Sequence, residues 1–87
     1  MKFDVLNNQP KYKTPDVWIA GALMATGKSL RNLEWVGPKA IFIFDNSHEC
    51  EALVEAYYRE DLSIRAKRYA DSLRTLKDRI FTHKRMT

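Results

Sequence analysis

The 87-residue chain reads as an α+β domain, and three stretches carry that reading. Ala40-Ile41-Phe42-Ile43-Phe44 is β-branched or aromatic after its first residue and follows Gly37-Pro38, as a strand entered through a tight turn would. Val17 to Ala25 has no polar side chain and comes directly after Thr14-Pro15-Asp16, a strong helix start. Leu62, Ala66, Tyr69, Leu73, Leu76 and Ile80 alternate spacings of four and three, the stripe of a helix with one buried side. The predicted order is helix, β-hairpin, helix, helix.

Residues 1–11 are expected to form a flexible arm or an edge strand, with Phe3 and Val5 offering a third strand to the hairpin. The first helix is predicted from Pro15 to Thr26. The Thr14 oxygen would accept an orphan N–H, Pro15 has no N–H to leave unpaired, and Asp16 favours the positive end of the macrodipole. Gly27 suits the left-handed position that closes a helix. A helix without polar side chains is buried nearly all round, either centrally or at a subunit interface. Val17, Trp18, Gly21 and Met24 are therefore the interface candidates, and a homodimer is expected.

The hairpin is predicted as Leu30–Val36 and Lys39–Asp45. Its second strand is apolar on both faces and needs cover from helices, the arm or a partner's strand. Asn46 with Glu49 three residues on resembles a capping box, and Cys50, Leu53, Val54, Tyr57 and Tyr58 follow at helical spacing, giving a second helix from Ser47 to Arg59. After a break at Glu60-Asp61 the third helix is predicted to reach Thr82, with residues 83–87 fraying. Residues 12–82 then form one domain, and its length leaves no room for an interdomain cleft.

Composition narrows the function classes. At 45% hydrophobic and 30% charged residues the chain is too apolar for an obligately disordered tail. The single cysteine, Cys50, cannot close a disulfide within the chain, and His48 and His83 are too far apart in sequence to suggest a metal cluster; no metal and no cofactor is expected. The apolar run from Val17 to Ala25 is too short to span a bilayer, and the start lacks a signal-like apolar core, so a cytoplasmic protein without membrane association is expected. Charge is unevenly placed: residues 1–61 carry seven Lys/Arg against nine Asp/Glu, and residues 62–87 carry eight against two. A net +6 gathered at one end points to an anionic partner, nucleic acid before membrane.

Ala22-Leu23-Met24-Ala25-Thr26-Gly27-Lys28-Ser29 fits a relaxed phosphate-loop pattern, and Ile41 to Asp45 imitates a strand ending in a magnesium-binding aspartate. A phosphate loop needs a strand before it, a flexible turn, and a helix opening at Lys-Ser. Here a helix is predicted before it and a hairpin after, so Gly27 reads as a helix end. No nucleophile has a base within sequence reach, and Cys50 lies on an apolar stripe; an enzyme is not expected. Trp35 and Tyr12 are the candidate exposed aromatics, the other tyrosines and Trp18 falling on apolar stripes.

On the third helix, Lys67, Asp71, Arg74 and Asp78 share one flank at spacings that let them neutralise one another. Arg65, Arg68, Ser72, Thr75 and Arg79 share the other with no acidic residue among them, guanidiniums and hydroxyls suited to phosphate oxygens. Lys84 and Arg85 are expected to extend that flank beyond the helix. The function predicted is a non-catalytic basic accessory protein that binds nucleic acid there. The alternative is a protein-protein interaction module acting through the apolar helix or the open hairpin edge.

Tyr12-Lys13-Thr14-Pro15-Asp16, Phe42-Ile43-Phe44, Leu53-Val54, Ala56-Tyr57-Tyr58 and Leu73-Arg74-Thr75-Leu76-Lys77-Asp78-Arg79-Ile80-Phe81 together resemble a family of small bacterial and phage domains catalogued as a domain of unknown function. The resemblance covers residues 12–81. It implies no activity, cofactor or binding residue. Members often carry an Asn-Gly turn after the Tyr-Tyr pair, where this chain has Arg59-Glu60.

Overall fold

The computed structural model describes residues 10–86. Six elements follow in the order β1 (Tyr12–Thr14), α1 (Val17–Ala25), β2 (Leu30–Val36), β3 (Lys39–Phe44), α2 (Ser47–Tyr58) and α3 (Ala66–Met86). The strands form one antiparallel sheet in the order β1-β3-β2, so the most apolar strand is the central one. The fold is α+β. Residues 1–9, with the strand candidates Phe3 and Val5, lie outside the described residues; the third strand comes instead from Tyr12–Thr14, with Tyr12 opposite Phe44 and Thr14 opposite Phe42.

That strand moves the start of α1. Thr14 is buried and its backbone belongs to the sheet, so it does not cap the helix as expected. The cap is Asp16, whose Oδ1 accepts from the backbone N–H of Trp18 at 2.8 Å and of Ile19 at 3.4 Å. The Thr14 hydroxyl oxygen accepts instead from the N–H of Asp16 at 3.1 Å, which ties strand end to helix start. At the other end, Lys28 N–H reaches the Leu23 carbonyl at 2.9 Å and Gly27 N–H reaches that of Met24 at 3.0 Å. This is a Schellman closure, with Gly27 at φ 110° in the position that needs a glycine.

The same closure ends α2. Asp61 N–H bonds the Ala56 carbonyl at 2.8 Å and Glu60 N–H bonds that of Tyr57 at 3.1 Å, with Glu60 held at φ 63°. Residues 61–65 then run without helix, and α3 starts later than its stripe suggested, with Ala66 exposed. It also ends later, at Met86, so residues 83–86 are helical and not frayed.

The two faces of β3 are covered differently. Phe42 and Phe44, fully buried, meet Ile19, Ala20, Leu23, Cys50 and Leu76 in the core between sheet and helices. On the other face Ile43 lies between Lys13 and Asn32, and Lys13 reaches Glu34 at 3.7 Å across the central strand. Ile43 is only 5% exposed, and the stems of those longer side chains help to cover it. The sheet edge on β2 carries a bulge between Leu30 and Asn32, a feature that discourages pairing with another strand. Among the described residues no helix is long and apolar enough to cross a membrane.

Candidate functional site

The helix α3 presents three longitudinal surfaces, and its seam with α1 fixes which way each one points. Gly21 lets the two helices close: a methyl group at that position would stand 2.6 Å from Leu73 Cδ2 and 3.3 Å from the Tyr69 ring. Leu76 is fully buried on the same side, and the Tyr69 hydroxyl donates to the Trp18 carbonyl at 3.0 Å. Desolvation, joined by Tyr57, pushes the Tyr69 pKa up to about 12, so this donor keeps its proton at neutral pH.

The interface residues expected for a homodimer are largely used by this seam. Gly21 is buried under Leu73 and Tyr69, and Val17 and Met24 are half-buried against the core. The polar-free helix is thus covered within one chain by α2, α3 and the sheet. Trp18 alone of the four stays half exposed, at 51%, with the Lys77 ammonium 5.7 Å from its ring centroid.

One flank of α3 neutralises itself in part, because Asp78, expected to share in that pairing, has no ion pair among the described residues. Lys67 Nζ reaches Asp71 at 3.1 Å and Arg74 reaches the same carboxylate at 3.2 Å. The opposite flank does not. Arg68, Ser72, Thr75 and Arg79 fall at i, i+4, i+7 and i+11, within about 60° of one another and along about 16 Å of axis. Arg65 stands at the start of the helix, its carbonyl accepting from Tyr69 N–H at 3.0 Å. Arg65, Arg68 and Arg79 are exposed, and none has an ion pair among the described residues. Ser72 is half-buried, while the Thr75 hydroxyl donates to the Asp71 carbonyl at 3.0 Å and keeps only its lone pairs for a partner. Thr75, Arg79 and Thr82 line a shallow depression with Asp78 at its side.

Lys84 is not on this flank. Because the helix continues past Thr82, five residues beyond Arg79 carry Lys84 about 140° around the axis, where it lines a separate cleft with Trp35, Lys39 and Ile80. The Arg85 side chain lies outside the described residues. In place of these two, the flank meets His83, one turn after Arg79, whose imidazole stacks on Trp35 with centroids 4.4 Å apart. Sequence pattern held no signal for this contact, since His83 was expected beyond the last turn.

The phosphate-loop imitation dissolves. Gly27, Lys28 and Ser29 do gather with Arg31, Asp45, Asn46 and Glu49 around one polar depression. Yet α1, not a strand, precedes them, and the N–H groups of Gly27 and Lys28 are committed to closing that helix. The charges are committed too. Lys28 pairs with Glu49, and Asp45 pairs with Lys11 and with Arg31, the latter at 3.0 Å. The Lys11 hydrogen bond, with help from Arg31, holds the Asp45 carboxyl below the usual range. Cys50 is fully buried, with its thiol against the Asp45 carbonyl at 3.4 Å and its pKa raised by burial, the environment of an inert thiol. No group of three or more metal-ligating side chains occurs among the described residues.

The family described as "domain of unknown function (DUF5659)" matches residues 9–82, and the chain belongs to it. No curated protein and no solved structure gives a significant match.

Proposed function

We propose that this member of a domain-of-unknown-function family is a non-catalytic cytoplasmic accessory protein that binds nucleic acid along the arginine flank of α3. The observation that carries the reading is the set of exposed guanidiniums at Arg65, Arg68 and Arg79, without ion pairs among the described residues, on a helix whose other flank pairs Lys67 and Arg74 with Asp71. Unpaired guanidiniums along one line suit phosphate oxygens, which they grip through two parallel hydrogen bonds each. Contacts of this kind position a backbone without reading bases, so little sequence preference is expected. An electrophoretic shift at low salt with duplex and single-stranded DNA and RNA tests the proposal. Retarded complexes that heparin disperses support it, and free migration of every probe at low salt overturns it.

A second reading, a protein-interaction module, draws on one observation: Trp18 of α1 and Phe81 of α3 are 51% and 63% exposed. On that reading Trp18→Asp abolishes capture of a protein partner and leaves nucleic-acid binding unchanged. Self-association through the same residues would appear in light scattering as twice the 10.2 kDa chain mass.

A further inference from the structure

The arginine flank of α3 does not stop at Arg79. One turn on, His83 lies nearly parallel to the Trp35 indole, with 13° between the planes, and so fixes that side chain at the end of the flank. Trp35 also lines an apolar cleft formed by the hairpin tip, the start of α1 and the last turns of α3. Val17, Phe42 and Ile80 contribute apolar wall, and Lys39 and Lys84 are the cationic members of the lining. Lys39 is exposed and has no ion pair among the described residues.

A concave apolar slot with an aromatic ring and the Lys39 ammonium matches a flat group that carries a negative charge. Unpaired nucleotides have that form, a planar base joined to a phosphate, and aromatic side chains beside cations hold them by stacking and charge together. A duplex offers the flank its phosphates but keeps its bases stacked inside, so it leaves the cleft empty. We infer that the Trp35 cleft receives an unpaired base, and hence that the strand lying on the arginine flank is single-stranded where it passes His83. This deepens the nucleic-acid reading above and rests on it.

The Trp18→Phe variant makes Trp35 the one tryptophan of the chain, which has two, and turns its fluorescence into a report on the cleft. The probes are a thymidine oligonucleotide, a duplex of the same length, and polyphosphate and polyglutamate as anions without bases, all at low salt. The thymidine strand should bind about tenfold more tightly than the duplex and quench Trp35, while the base-free anions leave its emission unchanged. Lys39→Gln should weaken the thymidine strand at least about threefold and the duplex hardly at all. Proton NMR of the unsubstituted protein gives an independent readout, since a stacked base shifts the His83 ring resonances. If the duplex binds as tightly as the single strand and neither Trp35 nor His83 responds, the cleft inference falls and the flank reading stands. Polyglutamate that quenches Trp35 as the strand does overturns the inference in favour of an acidic peptide. Failure of every nucleic acid to bind at low salt overturns both.

Discussion

α1 and α3 press against each other along one seam, yet they solve opposite problems. α1 has nine residues, none polar, and six of them are buried. α3 has twenty-one, and Leu76 is its one buried apolar residue among those described. The short helix is therefore held by packing on most of its surface, Trp18 excepted, whereas the long one is held along a single stripe. Its two flanks then differ from each other: Lys67, Asp71 and Arg74 satisfy one another, while Arg65, Arg68 and Arg79 have no such partners among the described residues. Stability sits in the seam, and the charge open to a ligand sits on one flank.

The largest effects are expected where the seam is attacked. Leu76→Ala removes the buried contact of α3 and should cost about 2–5 kcal/mol, while Gly21→Val overfills the crossing and should cost about 1–3 kcal/mol. Denaturant titration of both variants checks this. A cost below about 0.5 kcal/mol for each would show that α3 is not held through that stripe. Tyr69→Phe loses the bond to the Trp18 carbonyl and should cost about 1 kcal/mol near neutral pH.

Tyr69 also gives the seam a pH signature. Its folded pKa of about 12 lies above the ordinary value of about 10, so the folded state holds the proton more tightly than the unfolded state. The resulting stability is whole below about pH 10 and is lost as pH rises through about 12. Wild type and Tyr69→Phe should therefore converge in stability across that window, read as melting temperature against pH. A constant difference between them would contradict the seam geometry.

The two Schellman closures show how far the sequence was legible. Gly27 declared the end of α1, because a glycine after an apolar run has one common structural use. The end of α2 carries the same bonds with Glu60 in the left-handed position, and a glutamate gives no such sign. The strand Ala40–Phe44 was equally readable from its unbroken β-branched and aromatic run, and α3 from the helical period of its stripe. A three-residue strand has no period, so β1 passed unseen, and with it the transfer of the cap from Thr14 to Asp16. The arginine flank followed from helical spacing and survives in the structure as geometry. Lys84 did not, because its side of the helix depends on where the helix stops. The Trp35–His83 stack joins residues 48 positions apart, and no local pattern encodes it.

Smaller effects sharpen the same contrast. Glu60→Gly relieves a left-handed residue and, after the entropy that glycine adds to the unfolded chain, should stabilise by about 0.5–1 kcal/mol, seen as a rise in melting temperature. Lys67→Ala breaks one exposed pair on the self-neutralised flank and should change stability by no more than about 0.5 kcal/mol. Smallest of all in stability is the combined change of Arg65, Arg68 and Arg79 to Gln, since none is buried or paired among the described residues. That variant is nevertheless the one expected to alter binding.

The salt dependence of nucleic-acid affinity, compared between the wild type and that triple variant, tests the central claim most directly. Each phosphate neutralised releases condensed counterions, so the logarithm of affinity falls linearly with the logarithm of salt concentration. The account predicts a steep slope for the wild type and a slope shallower by up to about three units for Arg65→Gln, Arg68→Gln, Arg79→Gln, with an unchanged melting temperature. Equal slopes in the two proteins, or no affinity in the wild type even at low salt, would contradict it.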